Sequence, residues 1–404
     1  MDKRIVVTGI GVVTSIGIGK DAFWEALING KSGISRIESF DTKEFSTHNG
    51  GEIKNFHPED FMSKRKVKRL GRASQLAIAS AKLALKDSEL DLENLDREKI
   101  GVAIGTTMGE SQILERIDEA WVKYGEDAID PQLIPRLPAN VISSNVGIEF
   151  KLKGPNYLIS TACAAGNYAI GYACDLIRKG VADIMLAGGA DGFSRIAFTG
   201  FNRLLAIAPE KCQPFDKNRK GMMVGEAAGV VILELLESAL KRKANIYAEV
   251  LGYGLSCDAH HMTAPHGPGI AKAMEKALKE SGIKPQDVDY INAHGTGTPA
   301  NDREECLAIK EVFGEYSKKV AVSSIKSMLG HTMGAASAVE AIACCLSVKF
   351  DKIPPTINFE TPDPDCDIDC VPNVSRKTKV NIALNNSSAF GGNNACLAIK
   401  KIMV

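Results

Sequence analysis

The chain has 404 residues, 45% of them apolar and 24% charged, and its 49 Lys and Arg balance 49 Asp and Glu. That length allows two domains or one large pseudo-symmetric unit with ample core, and the composition is that of a soluble globular protein. Zero net charge excludes a global field drawing the chain to nucleic acid or a membrane surface, so an electrostatic partner must meet a local patch.

Ten cysteines are too sparse and scattered for a disulfide scaffold. With no C-x-x-C pair and no signal peptide they read as reduced thiols in the cytoplasm. Cys344-Cys345 sits in an apolar helical stretch and reads as core, whereas Cys366 and Cys370 lie in an acidic loop without the histidines a metal site would want. The run Ile5–Val13 is broken by glycines and reads as a buried strand with a turn; no segment has the roughly 20 unbroken apolar residues of a membrane span.

In chain order, short β-branched runs alternate with longer amphipathic ones. Strands are expected at Arg4–Thr8, Ile100–Gly105, Tyr157–Ser160, Ile184–Gly188, Gly229–Glu234, Ala248–Ser256, Tyr290–Ala293, Val320–Ser323, Ile382–Ser387 and Ala395–Lys400. Helices are expected at Lys20–Asn29, Arg72–Ser88, Glu110–Tyr124, Ala164–Arg178, Leu236–Lys243, Ala271–Glu280, Arg303–Phe313 and Gly334–Val348. The alternation makes an α/β protein with largely buried sheets. A weak repeat pairs Tyr157–Arg178 with Val320–Val348, and Arg4–Gly11 with Ala248–Gly254. It divides the chain into two related halves, 1–247 and 248–404, with no flexible linker between them.

Cys163, in Ser160-Thr161-Ala162-Cys163-Ala164-Ala165-Gly166, falls between a strand and a small-residue helix. A cysteine at a helix start is expected to have a lowered thiol pKa, and unpaired N–H groups there can hold an oxyanion. Asn292-Ala293-His294-Gly295-Thr296-Gly297-Thr298-Pro299 puts a histidine at a strand end; it is a plain loop residue or a cleft residue. Lys326-Ser327-Met328-Leu329-Gly330-His331 flanks a turn, and Lys326 has a possible partner in Glu340. Asn385-Asn386-Ser387-Ser388-Ala389-Phe390-Gly391-Gly392-Asn393-Asn394 is either a tight hairpin or a glycine-permitted approach of backbone to ligand.

The T-A-C, H-G-T-x-T, K-S-x-x-G-H and F-G-G-x-N elements, in this order and spacing, resemble the elongating β-ketoacyl-acyl carrier protein synthases, end to end. Asp216 and Arg219 in Pro214–Gly221, and the stretch Ser256–His261, also fit. The resemblance implies the thiolase fold, five layers αβαβα from two pseudo-symmetric halves, as a homodimer or a heterodimer with a paralogous subunit. It implies a decarboxylative condensation with malonyl-acyl carrier protein, in fatty acid or polyketide synthesis, needing no metal or organic cofactor. Cys163 would hold the acyl group, with His294 and His331 as enolate donors, Lys326 supporting His331 and Glu340 satisfying Lys326. Phe390, Gly391 and Gly392 would form a gate, with the N–H groups of Cys163 and Phe390 as oxyanion donors. Thr296 and Thr298 would bind pantetheine, and Met108, Leu133 and Phe201 would line the acyl pocket. The basic run Lys64, Arg65, Lys66, Lys68 and Arg69 is otherwise a solvated face; by resemblance it docks an acidic acyl carrier protein, with Arg203 nearby and Leu205 where the family often has arginine.

Ala389 and Asn393 depart from the usual G-F-G-G-T-N, and Gly105–Glu110 is similar to polyketide ketosynthase subunits. Two alternatives share the fold. A non-catalytic chain-length-factor-like subunit would lack the cysteine, and a degradative thiolase would use a second cysteine, for which Cys396 is the candidate.

Overall fold

The computed structural model describes residues 3–402. The first half contributes strands β1 (Ile5–Thr14), β2 (Ile100–Gly105), β3 (Asn156–Ile159), β4 (Ile184–Asp191) and β5 (Ala227–Leu235). The second contributes β6 (Ala248–Cys257), β7 (Tyr290–Asn292), β8 (Ala321–Ser323), β9 (Ile382–Ser388) and β10 (Asn393–Lys400). Strand β1 is buried along its whole length, which is why its sequence is continuously apolar instead of alternating.

These strands form one sheet in the order β8-β7-β9-β10-β6-β1-β5-β4-β2-β3, and the short strand Gly17–Ile18 also pairs with β1. The order mirrors itself about the β6–β1 junction, which is a short antiparallel contact from Ile5↔Val250 to Val7↔Ala248. Outward from it, each half runs through two antiparallel and then two parallel pairings. The faint sequence repeat is therefore a repeat of topology.

Helix α1 (Arg72–Ser88) packs outside the first half, against β1 and β5. Helix α2 (Ala165–Arg178) packs against α5 (Ala336–Phe350) in the centre, and α3 (Gly267–Ser281) and α4 (Pro299–Phe313) cover the outside of the second half. Three large apolar clusters follow: one around α2 and α5, one beneath α1, and one beneath α3 and α4. With the two half-sheets these are the five αβαβα layers of the thiolase fold. Among the described residues Met333–Phe350 is long and apolar enough to cross a membrane, yet 89% of it is buried inside the protein.

The expected elements are present with shifted ends. Helices α3 and α4 start at Gly267 and Pro299, earlier than Ala271 and Arg303, because a proline in the first turn gives up an N–H that has no helical partner anyway. Two helices of more than one turn were not anticipated, Val141–Phe150 and Arg195–Arg203, nor were the single turns Lys64–Val67 and Lys326–Leu329. The first has serines, Asn145 and Gly147 where apolar periodicity should be; Ile142 and Val146 anchor it in the outer core. The second carried a signal that was passed over, since the Ser194 side chain caps it by accepting from Ala197 N–H.

Candidate active site

Between β3 and α2 the chain turns sharply. Ala162 takes φ 47°, a left-handed value that costs a residue with a Cβ free energy and that alanine tolerates better than a branched side chain. Cys163 follows in a single 3-10 turn ahead of α2. What holds the strained turn is the second half: the Cys163 carbonyl accepts from Ser337 Oγ at 3.1 Å and Ser387 Oγ at 3.0 Å. Behind it, Asn167 and Asn385 exchange hydrogen bonds of 2.8–3.0 Å across the seam, and Asn385 also donates to the Ser337 carbonyl. Gly166 permits the close approach, since a Cβ there would lie 2.5 Å from Ala338 N.

The structure corrects one expectation. Burial pushes the Cys163 thiol up to about 12, against the opposing pull of the Lys326 charge and the residue's own N–H; nearby Asp191 adds to the rise. The helix start does not outweigh desolvation of a thiolate at a residue only 7% exposed. At rest Cys163 is a thiol, and its proton must be taken by a neighbour before it can attack.

The neighbours are two imidazoles. His294 leaves the end of β7 on a loop pinned by Glu305 of α4, whose carboxylate accepts from His294 N–H at 2.7 Å and Gly295 N–H at 2.8 Å. His331 lies in the turn before α5. The rings of His294 and His331 are 5.3 Å apart at 83°, and Cys163 Sγ and one nitrogen of each ring lie within 4.8 Å of one another. Burial holds both imidazoles well below the usual histidine range, helped by the charge of Lys326, so both are neutral. Met333 N–H donates to His331 Nδ1 at 3.1 Å, which requires that nitrogen to be unprotonated and places the ring proton on Nε2. His294 Nδ1 is buried without a partner.

Lys326 does not line the cleft; it is buried behind it, 1% exposed, and paired with Glu340 of α5, itself buried. The donor set of Cys163, His294 and His331 would suit zinc in kind. The buried Lys326 ammonium opposes a divalent cation there.

The cleft of about 230 Å³ is lined by Cys163, His294, His331, Thr296, Thr298, Phe201 and Phe390, among others. Thr296 Oγ1 and Thr298 Oγ1 are 2.8 Å apart on the wall. Phe390 is 39% exposed and leans on Phe201 with centroids 5.6 Å apart. Its N–H makes no hydrogen bond among the described residues and is free to donate. Gly391 and Gly392 take φ of 83° and 78°. Gly391 N–H donates to the Met262 carbonyl at 2.8 Å, while the Gly392 carbonyl accepts from Asp258 N–H at 2.9 Å. The turn closes through Gly392 N–H to the Ala389 carbonyl at 3.0 Å, with Ala389 outside the left-handed region.

Met108 and Leu133 do not reach this cleft. Met108 N–H is tied to Asp191, and Leu133 packs with Ile113 and Ile117 in a separate small cluster. Lys64, Arg65, Lys66, Lys68 and Arg69 are exposed on and after a short helix, as is Arg203. Lys66 pairs with Glu149, and Lys64, Arg65, Lys68 and Arg69 make no ion pair among the described residues. Cys396 is fully buried in the outer core, away from the cleft. Asp216 and Arg219 act as pins: Asp216 accepts from Glu360 and Thr361 N–H at 2.6 Å each, and Arg219 pairs with Asp363.

Residues 2–239 match the family model of the beta-ketoacyl synthase N-terminal domain, and residues 247–360 match that of its C-terminal domain. The chain belongs to the β-ketoacyl synthase family. This synthase is 43% identical to 3-oxoacyl-[acyl-carrier-protein] synthase 2 of Synechocystis sp., over 99% of its own length and 98% of the relative's. The corresponding protein of Staphylococcus aureus is 42% identical, with 99% of each chain covered. Among solved structures, the ishigamide ketosynthase/chain length factor superimposes with TM-score 0.97 at 44% identity over the whole of both chains. A type II PKS ketosynthase, solved in complex with its acyl-carrier protein and bound to the hexaketide, gives 0.93 at 34% identity, again over the whole of both chains.

Sequence reasoning missed several parts of the synthase's site. Glu305, Asp191, Ser337 and Asn167 hold its loops from behind, and Ser387 and Asn385 were read only as part of a turn motif. For Asp191 a signal was present, since a carboxylate ending an apolar strand must find donors. Glu305 sits in a charged helix, where the sequence does not set it apart from its acidic neighbours.

Proposed function

We propose that the protein catalyses decarboxylative condensation of an acyl group on Cys163 with malonyl-acyl carrier protein, giving 3-oxoacyl-acyl carrier protein and CO₂. The observation that carries this reading is the His331 tautomer, with Nε2–H set by Met333 beside a second neutral imidazole and within reach of Cys163. A hydrolase would need one base and an acid to orient it; paired neutral donors suit an enolate oxygen.

In the first half-reaction the Cys163 thiol attacks an acyl thioester. Nδ1 of His331 is occupied and its Nε2 already carries a proton, so His294 is the base. Its cleft-facing nitrogen, unprotonated for this step, takes the thiol proton and returns it to the departing pantetheine sulfur; with Nδ1 unpartnered, the ring then shifts to its other tautomer, which presents an N–H to the cleft. Malonyl-carrier then enters with its arm along the hydroxyls of Thr296 and Thr298. The C–C bond to the carboxylate breaks, CO₂ leaves, and the enolate oxygen accepts from His294 and His331. The carbanion attacks the acyl carbon, the tetrahedral oxyanion accepts from Cys163 and Phe390 N–H, and collapse expels the Cys163 thiolate, which takes up one proton from solvent to restore the resting thiol. Phe390 covers the nucleophile until the glycine gate turns.

The unpaired cations Lys64, Arg65, Lys68 and Arg69, with Arg203, suit the acidic carrier as a docking partner. Phe201 is the member of the acyl-pocket set that already lines the cleft; Met108 and Leu133 would need to be brought to it by a partner subunit or by the chain itself. Edge strand β3 leaves one side unpaired among the described residues, with Tyr157 40% exposed, and we assign the dimer contact to it. The partner is a second copy or a paralogous subunit, as in the ishigamide neighbour. We place the division of the chain at 247/248, with the nucleophile on the first part and both histidines on the second, and the enzyme in the cytoplasm. A degradative thiolase would need a second cleft cysteine, and Cys396 is in the core.

Separating the half-reactions tests this reading. Cys163→Ala abolishes condensation and leaves CO₂ release from malonyl-carrier, while His294→Ala or His331→Ala slows CO₂ release by about 10²–10³, the loss typical of one oxyanion donor. Normal CO₂ release from either histidine variant would overturn the two-donor account.

A further inference from the structure

Asp191 ends β4, is fully buried, and does not itself line the cleft. Its carboxylate nevertheless collects donors from both halves of the protein. Oδ1 accepts from Thr106 Oγ1 at 2.7 Å and Met108 N–H at 2.9 Å. Oδ2 accepts from Thr107 N–H at 2.8 Å and Gly334 N–H at 2.7 Å. Gly334 is the residue after Met333, and it is pressed so closely on the Thr106–Thr107 backbone that a Cβ would lie 2.5 Å from Thr106 C and Thr107 N.

Met333 has φ 53°, a strained value for a residue with a side chain, and it persists only where neighbours enforce it. Its N–H is the group that fixes the His331 tautomer. Gly334 N–H on Asp191 is the next link in the chain. Without it the turn can relax toward ordinary φ, turning Met333 N–H away from the ring. We infer that Asp191 is a positioning residue for His331, holding the Met333–Gly334 turn so that the ring keeps its proton on Nε2. This deepens the reading above and rests on His331 being an enolate donor.

The two oxygens are not equivalent, and that gives the test its control. Oδ2 faces two N–H groups, which only an acceptor satisfies. Oδ1 faces one N–H and a hydroxyl, and the hydroxyl can turn to accept. Asp191→Asn therefore settles with its oxygen still on Thr107 and Gly334 N–H and its amide nitrogen toward Thr106 Oγ1, giving up the Met108 N–H bond but keeping the link to the Met333–Gly334 turn. Asp191→Ala removes the acceptor and leaves a polar cavity that water can fill; Asp191→Ser, with a hydroxyl too short to span the site, is the second variant should alanine fail to fold.

Nitrogen-15 NMR of histidine-labelled protein, with the His331 signals identified by their loss in His331→Ala, reads the tautomer without reference to activity. In the wild type and in Asp191→Asn, Nδ1 of His331 should show the unprotonated shift. In Asp191→Ala or Asp191→Ser it should move toward a mixture of tautomers. CO₂ release from malonyl-carrier should fall about 10- to 100-fold in those two variants, the scale of a misplaced catalytic group, while Asp191→Asn stays within about threefold. An unchanged tautomer in Asp191→Ala or Asp191→Ser, or a mixture in Asp191→Asn, overturns the inference. If His331→Ala releases CO₂ normally the enolate role fails instead, and the NMR still decides what Asp191 does.

Discussion

Lys326→Met tests how the buried charge behind the site is held. Lys326 and Glu340 are each 1% exposed and pair with one another, and burial raises the Glu340 pKa while the lysine opposes that rise. Methionine fills a similar volume without charge, so Glu340 is left alone in an apolar helix layer. Its cheapest escape is to take up a proton. For a glutamate of ordinary pKa near 4.3 that costs about 3.7 kcal/mol at pH 7, at 1.36 kcal/mol per pH unit, and only about 1 kcal/mol at pH 5. The sign follows from linkage. In the variant the folded-state pKa of Glu340 lies above its unfolded value, so stability is present at low pH and lost as pH rises. Denaturant unfolding at pH 5, 6 and 7 should show the gap from wild type widening by roughly 1.3 kcal/mol per pH unit. The same variant removes the charge that helps to hold His294 and His331 neutral and lowers the Cys163 thiol. CO₂ release should therefore fall at least about tenfold at pH 7. A gap equal at pH 5 and pH 7 would refute the account, because Glu340 would then not be the group Lys326 neutralises.

Two further outcomes rest on loops near the cysteine. Burial pushes Glu305 up to about 7 against its hydrogen bonds to His294 and Gly295 N–H, so acidifying from pH 8 to 6 protonates it and frees one of those N–H groups. The rate of CO₂ release should drop through that window, and Glu305→Gln, which mimics the protonated acid, should lie near the low plateau without an inflection; an unchanged acid limb in Glu305→Gln assigns that limb elsewhere. Ala389→Gly should speed acyl loading of Cys163, followed by intact mass, because glycine opens left-handed conformations to a turn that now closes on the Ala389 carbonyl. Identical loading kinetics would show that the gate does not move about residue 389.

Much of this was legible in the chain because the chemistry sits on motifs at strand ends. His294 follows β7, Cys163 follows β3, and the Phe390 turn follows β9, so the short β-branched runs that located the strands also pointed to the candidate site. The ten principal strands were legible for the same reason. What could not be read was support from a distance. Ser337 and Ser387 cap the Cys163 carbonyl from positions 174 and 224 residues away in the chain, and no local pattern marks a serine as a partner of one particular carbonyl. The thiol pKa was misjudged for a related reason. A helix start is visible in sequence, but the depth at which it is buried is not, and depth decided the sign.

That depth has a use. A shallow Cys163 would ionise more readily, but a shallow site would also let His294 and His331 take up protons near neutral pH. Desolvation, the leading cause of the shift in all three residues, raises the thiol and lowers the imidazoles together. The cysteine gives up ready ionisation, which a neighbouring neutral imidazole can replace within 4.8 Å. The histidines gain a protonation state that persists without a carboxylate beside either ring, and the acids of the site confirm the division: Glu305 and Asp191 both bind backbone N–H groups and not imidazoles. Charge is kept behind the cleft, on the loop-binding acids and on Lys326, leaving around Cys163 a buried set of neutral donors in which, on the proposed function, an enolate and then an oxyanion would be the groups that gain most.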